Sequence, residues 1–286
     1  MSPRVWFITG ASTGFGRHLT ELVLAKGEIA IATARRPSAL SDLQTRYPSD
    51  RLLVVKLDVN DGSEIEAAFA HAKASVGRID VVVNNAGWVA IGEIESVRDA
   101  DARAMFETNF WGAAAVSREA VRFFREVNPA GVGGRLIQIS SMVGVDGRLA
   151  AWGYFAASKF ALEGLTEALA TEIDPAWNIK IVIVEPGVFR TEGPSKIAWP
   201  PLHPAYDNPD LPSHRLRNAW EGFKQVLPGD VKKAVQVIYD VAALPDPPLH
   251  LPLGKDAVDM IRRKAALLID DTNKYQYLSD NLNIED

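Results

Sequence analysis

Along the first two thirds of the chain, apolar residues fall in short, nearly unbroken runs. The runs cover residues 5–8, 28–33, 52–59, 79–83, 135–139 and 180–184. Runs of this length, rich in Val and Ile, predict strands covered on both faces. Between them, apolar residues recur at helical spacing over 19–25, 38–46, 63–76, 98–125 and 158–173. Strict alternation of strand and helix implies parallel strands joined by right-handed crossovers. The expected class is α/β, a doubly wound parallel sheet in three αβα layers. One domain spans residues 1–286.

The last third reads differently. Prolines crowd residues 194–212, together with Trp199, His203 and Tyr206. Proline forbids a long helix there. Long irregular segments are either binding loops or surface excursions, and both readings stay open. A substrate-binding loop is placed at about 188–228. Helical spacing resumes over 231–243 and 256–269. Residues 249–253 suit an edge strand, because Pro252 cannot donate to a central ladder. A C-terminal extension is expected at about 254–286, its polar end over 270–286 covering a subunit or lying loose.

Composition narrows the class. The 286 residues are 47% hydrophobic, enough for one large core. Net charge is −5 and no long basic run occurs, which disfavours nucleic acid. With no cysteine, there is no disulfide, thiolate metal site or cysteine nucleophile. His18, His71, His203, His214 and His250 show no ligand spacing, so no metal is expected. A Ser–His–Asp hydrolase is not expected, although Gly10-Ala11-Ser12-Thr13-Gly14 has the Gly-x-Ser-x-Gly spacing of a nucleophile elbow. No apolar run approaches bilayer length, and the start lacks a signal-peptide pattern. A soluble, cytoplasmic protein without a membrane partner is the expectation.

The chemistry begins at Thr9-Gly10-Ala11-Ser12-Thr13-Gly14-Phe15-Gly16, between a predicted strand and a predicted helix. Free N–H groups and the dipole at a helix start attract phosphate. Gly10 and Gly14 allow positive φ and close approach of a ligand, and Gly16 leaves room for helix against strand. This strand–turn–helix context is the one a Rossmann-type dinucleotide fingerprint requires, although a purely structural turn can carry three glycines too. Asn84-Asn85-Ala86-Gly87 ends the fourth strand in amides and a glycine. Pro186-Gly187-Val188 follows the sixth, with Thr191 just beyond.

Taken together, these motifs resemble the short-chain dehydrogenase/reductase family over about residues 4–253. The resemblance implies a nicotinamide cofactor held by Gly10, Ser12, Thr13, Gly14, Phe15, Gly16, Asp58, Val59, Asn85, Ala86, Gly87, Lys159, Pro186, Gly187, Val188 and Thr191. Asp58 would accept from the adenine amine, though a strand-end Asp also serves as a helix cap. Thr33-Ala34-Arg35-Arg36 ends the second strand with no acid to bind a ribose 2′-hydroxyl. Arg35 offers a fork suited to a 2′-phosphate. NADP(H) is therefore expected over NAD(H), unless Arg35 and Arg36 are only solvated loop charges.

The resemblance also implies a serine, a tyrosine, a lysine four residues after it, and an asparagine. Ser141, Lys159 and Asn109 match three of them. The tyrosine hydroxyl exchanges a proton with the carbonyl oxygen, the lysine lowers its pKa, and the serine holds the oxygen. Position 155, four before Lys159, is phenylalanine, while Tyr154 stands five before it. On a helix, positions four apart differ by ~40° and positions five apart by ~140°. Either Phe155 replaces the proton donor, by nature or by engineering, or a distorted backbone swings Tyr154 inward. The first reading predicts cofactor binding with poor turnover.

The expected function is an alcohol–ketone oxidoreductase. Trp88, Trp152, Trp199, Trp220, Phe189 and Tyr206 suggest a hydrophobic, even aromatic, substrate, though ordinary packing explains them equally well. A silent dinucleotide-binding sensor is the alternative. A methyltransferase is disfavoured by Lys159 and the asparagine motif. Assembly as a homodimer or homotetramer through residues 98–125 and 158–173 is expected from the family.

Overall fold

The computed structural model describes residues 2–280 and 282–284, apart from 194–196 and 198. Seven strands form one parallel sheet in the order β3-β2-β1-β4-β5-β6-β7. They are β1 Val5–Ile8, β2 Ile29–Ala34, β3 Leu52–Lys56, β4 Val81–Asn84, β5 Gly134–Ile139, β6 Ile179–Pro186 and β7 His250–Leu253. The helices are α1 Gly14–Ala25, α2 Ser41–Arg46, α3 Gly62–Val76, α4 Asp99–Phe106, α5 Ala113–Glu126, α6 Gly153–Glu172, α7 Pro212–Phe223, α8 Val231–Val241 and α9 Lys255–Tyr275. The expected three-layer, Rossmann-type arrangement is the one observed.

Burial explains the strand order. All four residues of β1 and of β4 are buried, so these strands take the centre. Each large apolar side chain buried there contributes roughly 1.5–3 kcal/mol. β7 begins exposed, carries Pro252 and lies at the edge. One face of the sheet packs Trp6, Ile8, Val83 and Val184 against α1 and α8. The other packs Phe7, Val82, Leu136 and Ile181 against Phe69 of α3 and Phe123 of α5.

Several boundaries differ from expectation. The third strand stops at Lys56, because the chain turns at Asp58 and Asp61 caps α3 through Ser63 N and Glu64 N. The first helix starts at Gly14, earlier than apolar spacing indicates. The predicted helix over 98–125 is broken in its middle by a π-helical turn, Glu107–Gly112. There the chain crowds Val59: a Cβ on Gly112 would lie 2.8 Å from the Val59 carbonyl oxygen. α6 starts at Gly153, so Tyr154 and Phe155 are both helical. The loop at 188–228 contains α7, whose Pro212 sits at the helix start, where its missing N–H costs nothing. Of the segment 194–212, residues 194–196 and 198 lie outside the described residues, and the others hold the short 3₁₀ turn Pro204–Tyr206 before α7 begins at Pro212. The final helix runs past 269 to Tyr275. Among the described residues, no helix is long and apolar enough to cross a membrane.

Candidate active site

β1 pairs with β2 on one side and β4 on the other, so the chain direction of the sheet order reverses there. Ligands of open α/β sheets bind at such a point, beyond the carboxyl ends of the strands. The loops after β1 and β4 meet at this place. Thr9 Oγ1 accepts from Asn85 N and Ala86 N at 2.9 Å each. The Asn85 amide donates to the carbonyls of Thr9 at 2.9 Å and Gly10 at 3.2 Å. Gly10 has φ 64°, and a Cβ on it would lie 2.9 Å from Ala86 Cα. A Cβ on Gly16 would lie 2.5 Å from the Gly10 carbonyl oxygen. Both glycines are thus required by close packing between the loops.

A cavity of about 270 Å³ opens over these loops. Its lining includes Gly10, Ser12, Thr13, Gly14, Phe15, Arg35, Asp58, Val59, Asn85, Ala86, Gly87 and Thr191, twelve of the residues expected to hold a dinucleotide. Arg36, Gly16, Pro186, Gly187, Val188 and Lys159 do not line it. Arg36 instead precedes the 3₁₀ turn Pro37–Leu40, and Gly16 serves packing. Pro186 to Val188 lie beside the β7–α9 junction, where Val188 N donates to Asp256 at 2.7 Å and Gly187 N to Leu253 O at 2.9 Å. The sequence reading did not single out Leu57, Thr108 or Gly193, which also line the cavity.

The start of α1 shows what the cavity attracts. Thr13 makes no side-chain cap, and the first turn carries no acid. Gly14 N instead donates to a carboxylate oxygen of Glu192 at 2.9 Å, from across the cavity. An anionic group thus already sits on the N–H that the helix end leaves open.

At the inner end, Asn109 lies on the π turn and is fully buried. Such turns recur at functional sites. Its side chain accepts from Trp88 N at 3.0 Å and donates to Trp88 O at 2.9 Å and Ser158 Oγ at 3.2 Å. Ser158, which the sequence reading missed, donates in turn to Phe155 O at 2.7 Å. Lys159 Nζ donates to Ile139 O at 2.8 Å, at the end of β5 and two residues before Ser141. Lys159 is 5% exposed, and burial lowers its pKa to about 8. Ser141 Oγ accepts from Val143 N at 3.4 Å. Gly87 joins the two groups: a Cβ there would lie 3.0 Å from Asn109 Oδ1 and 3.8 Å from Lys159 Nζ.

Phe155 and Tyr154 part company on α6. The Phe155 ring centroid stands 5.9 Å from Lys159 Nζ. The ring packs against the small cluster of Met142, Val143, Ala156 and Ala257, and meets Trp152 edge-on at 5.8 Å. Tyr154 lines a separate cleft with Asp99, Arg103, Glu107 and Trp111. The backbone is regular helix through both residues, so the distorted alternative does not occur. Trp152, Trp220 and Trp199 continue outward as an edge-to-face chain at 6.2 Å spacings.

A cavity at the switch of a doubly wound sheet, a buried lysine and an asparagine on a π turn define a dinucleotide-site protein. A family model described as short chain dehydrogenase matches residues 4–198. An uncharacterized oxidoreductase of Schizosaccharomyces pombe is 39% identical over 90% of this chain and 84% of its own length. The oxidoreductase calM of Penicillium decumbens is 37% identical over 96% and 91%. A short-chain dehydrogenase structure from Streptomyces avermitilis superposes with a TM-score of 0.88 at 36% identity, covering 99% of this chain and 100% of that one. A serine dehydrogenase complexed with NADP+ shares the fold, with a TM-score of 0.73 at 24% identity over 86% and 93%. The chain belongs to the short-chain dehydrogenase family and is an oxidoreductase of that type.

Proposed function

We propose that this chain is an NADP(H)-binding alcohol–ketone oxidoreductase whose proton donor is missing. The observation that carries this reading is the Phe155 ring one helical turn before Lys159, 5.9 Å from its ammonium group. A hydroxyl on that ring would face the carbonyl oxygen of a substrate, and benzene carbon cannot give a proton. The cofactor supplies hydride when bound. Ser141 holds the substrate oxygen, Lys159 holds the ribose, and Asn109 continues the proton path through its bonds to Trp88 and Ser158. Arg35 at the cavity wall and the lack of an acid after β2 favour the 2′-phosphate of NADP(H). Distant fold neighbours have been solved both with NADP and with NAD. The aromatic chain from Trp152 to Trp199 favours a hydrophobic, ring-containing substrate. Exposed Trp111 and Phe160 on the α4–α6 side favour self-association.

Phe155 also favours a second reading, a cofactor-binding sensor without turnover. Phe155→Tyr, assayed for NADPH oxidation against a panel of aryl and cyclic ketones, separates them. Gain of about 10²-fold or more on some ketone supports the enzyme, since proton donation contributes 10²–10⁴-fold. Tight NADPH binding without gain on any ketone supports the sensor.

A further inference from the structure

Outside the cofactor cavity, three titratable side chains from three elements converge. Glu163 lies on α6, Glu185 near the end of β6, and His250 at the start of β7. One ligand-type atom from each lies within 4.8 Å of the other two. Both acids are almost fully buried, at 5% and 1% exposure. His250 Nδ1 stands 2.6 Å from Glu185 Oε1, and its Nε2 stands 3.4 Å from Glu167 Oε1. Glu163 accepts from Ser140 Oγ through one oxygen. The second Glu185 oxygen is buried without any hydrogen-bond partner.

That orphaned oxygen is the decisive observation. A buried carboxylate oxygen without a donor is costly, and native structures rarely leave one. Two such acids beside a single imidazole want positive charge between them. The second imidazole nitrogen faces Glu167, the carboxylate–histidine pairing that orients metal-binding histidines. We propose that Glu163, Glu185 and His250 Nδ1 form a site for a divalent zinc-class cation, with Glu167 orienting the imidazole. Mixed imidazole and carboxylate ligands suit zinc better than magnesium, which demands an octahedron of oxygens. Zinc–ligand bonds of ~2.0–2.2 Å need the three groups to draw together by about 1 Å. Burial raises the Glu185 pKa and lifts that of Glu163 to about 7, consistent with acids that lack a cation partner. The sequence offered no sign of this site, because Glu185 and His250 are 65 positions apart. Glu185 directly precedes Pro186-Gly187, so a bound cation would tie the end of β6 to the start of β7.

Untagged full-length chain, stripped by chelator and titrated with zinc chloride, tests this. One zinc per chain is expected, with a rise in melting temperature. Absorption spectroscopy should give one nitrogen and two carboxylate oxygens at about 2.0–2.2 Å. Glu185→Gln and His250→Ala should each lower affinity more than ~100-fold, and Glu167→Gln by about tenfold, as outer-shell partners do. His250 is partly exposed on an edge strand, so H250A keeps the test valid should E185Q fail to fold. Absence of stoichiometric uptake would show that a shared proton alone joins these groups. Uptake unchanged in H250A, or magnesium bound more tightly than zinc, would equally overturn the assignment.

Discussion

The loops after β1 and β4 and the loop before α8 do different physical work. The first pair is locked: Thr9, Gly10, Asn85 and Ala86 share four hydrogen bonds, and neither Gly10 nor Gly16 has room for a Cβ. The second is a proline-broken excursion held by aromatic contacts, an Arg217–Glu93 ion pair at 2.7 Å and Tyr206 bonded to Glu95 at 2.5 Å. Rigid backbone suits a ligand recognised by phosphates and ribose, which never vary. Side-chain packing suits a ligand that differs between relatives. In the proposed function, the rigid half holds the cofactor and the aromatic half selects the substrate.

Breaking each half should therefore have a different signature. The largest effect is expected at Ser141, proposed above to hold the substrate oxygen. In a Phe155→Tyr background, Ser141→Ala should cut kcat by about 10²–10³-fold, as loss of an oxyanion donor does, with NADPH affinity unchanged. Equal loss of cofactor affinity would move Ser141 into the rigid half. Next comes Arg35→Glu, which should weaken NADPH by roughly 10–100-fold, the loss of a charged hydrogen bond, while NADH improves. Fluorescence titration with both nucleotides reads this directly.

The buried lysine adds a pH signature. In the proposed role, only its ammonium form would donate to the ribose with charge. NADPH affinity should be flat below the lysine's pKa of about 8 and fall above it, by at most about tenfold per pH unit. Lys159→Met should abolish that slope. Stability runs the other way. The unfolded chain keeps the proton up to the ordinary value of 10.5, so unfolding free energy rises with pH across the window from about 8 upward. Denaturant melts at several pH values check the sign. The smallest effect belongs to Glu192, whose carboxylate sits on Gly14 N. Glu192→Gln should tighten NADPH a few-fold, because the phosphate no longer displaces an anion. Weaker binding would mean that Glu192 supports the loop rather than competing with the cofactor.

Legibility in the sequence follows the same divide. Strands such as Val5–Ile8 and Val81–Asn84 declare themselves, since burial on both faces leaves no polar position. The glycine turn reads well because its backbone needs a residue without Cβ. The α1 start hides because glycines at 14 and 16 dilute the apolar spacing. α7 hides behind Pro212, which looks like a breaker and acts as a starter. The π turn around Asn109 is invisible to helical periodicity, although Gly112 at its end is needed because a Cβ there would meet Val59 at 2.8 Å. Asp58 could be read as a cap or as a cofactor ligand; the structure gives the cap to Asp61 and puts Asp58 on the cavity wall. The Glu163–Glu185–His250 group is long-range and leaves no local pattern at all.

The proposed function turns on which aromatic ring of α6 faces the substrate's carbonyl oxygen. Single-turnover hydride transfer from NADPH, followed by stopped flow, compares the unaltered chain with F155Y, Y154F and the double variant. The account predicts that F155Y and the double variant are equally fast, at least ~10²-fold above the unaltered chain, while Y154F changes nothing. Loss of the gain on adding Y154F, or residual turnover abolished by Y154F alone, would contradict it.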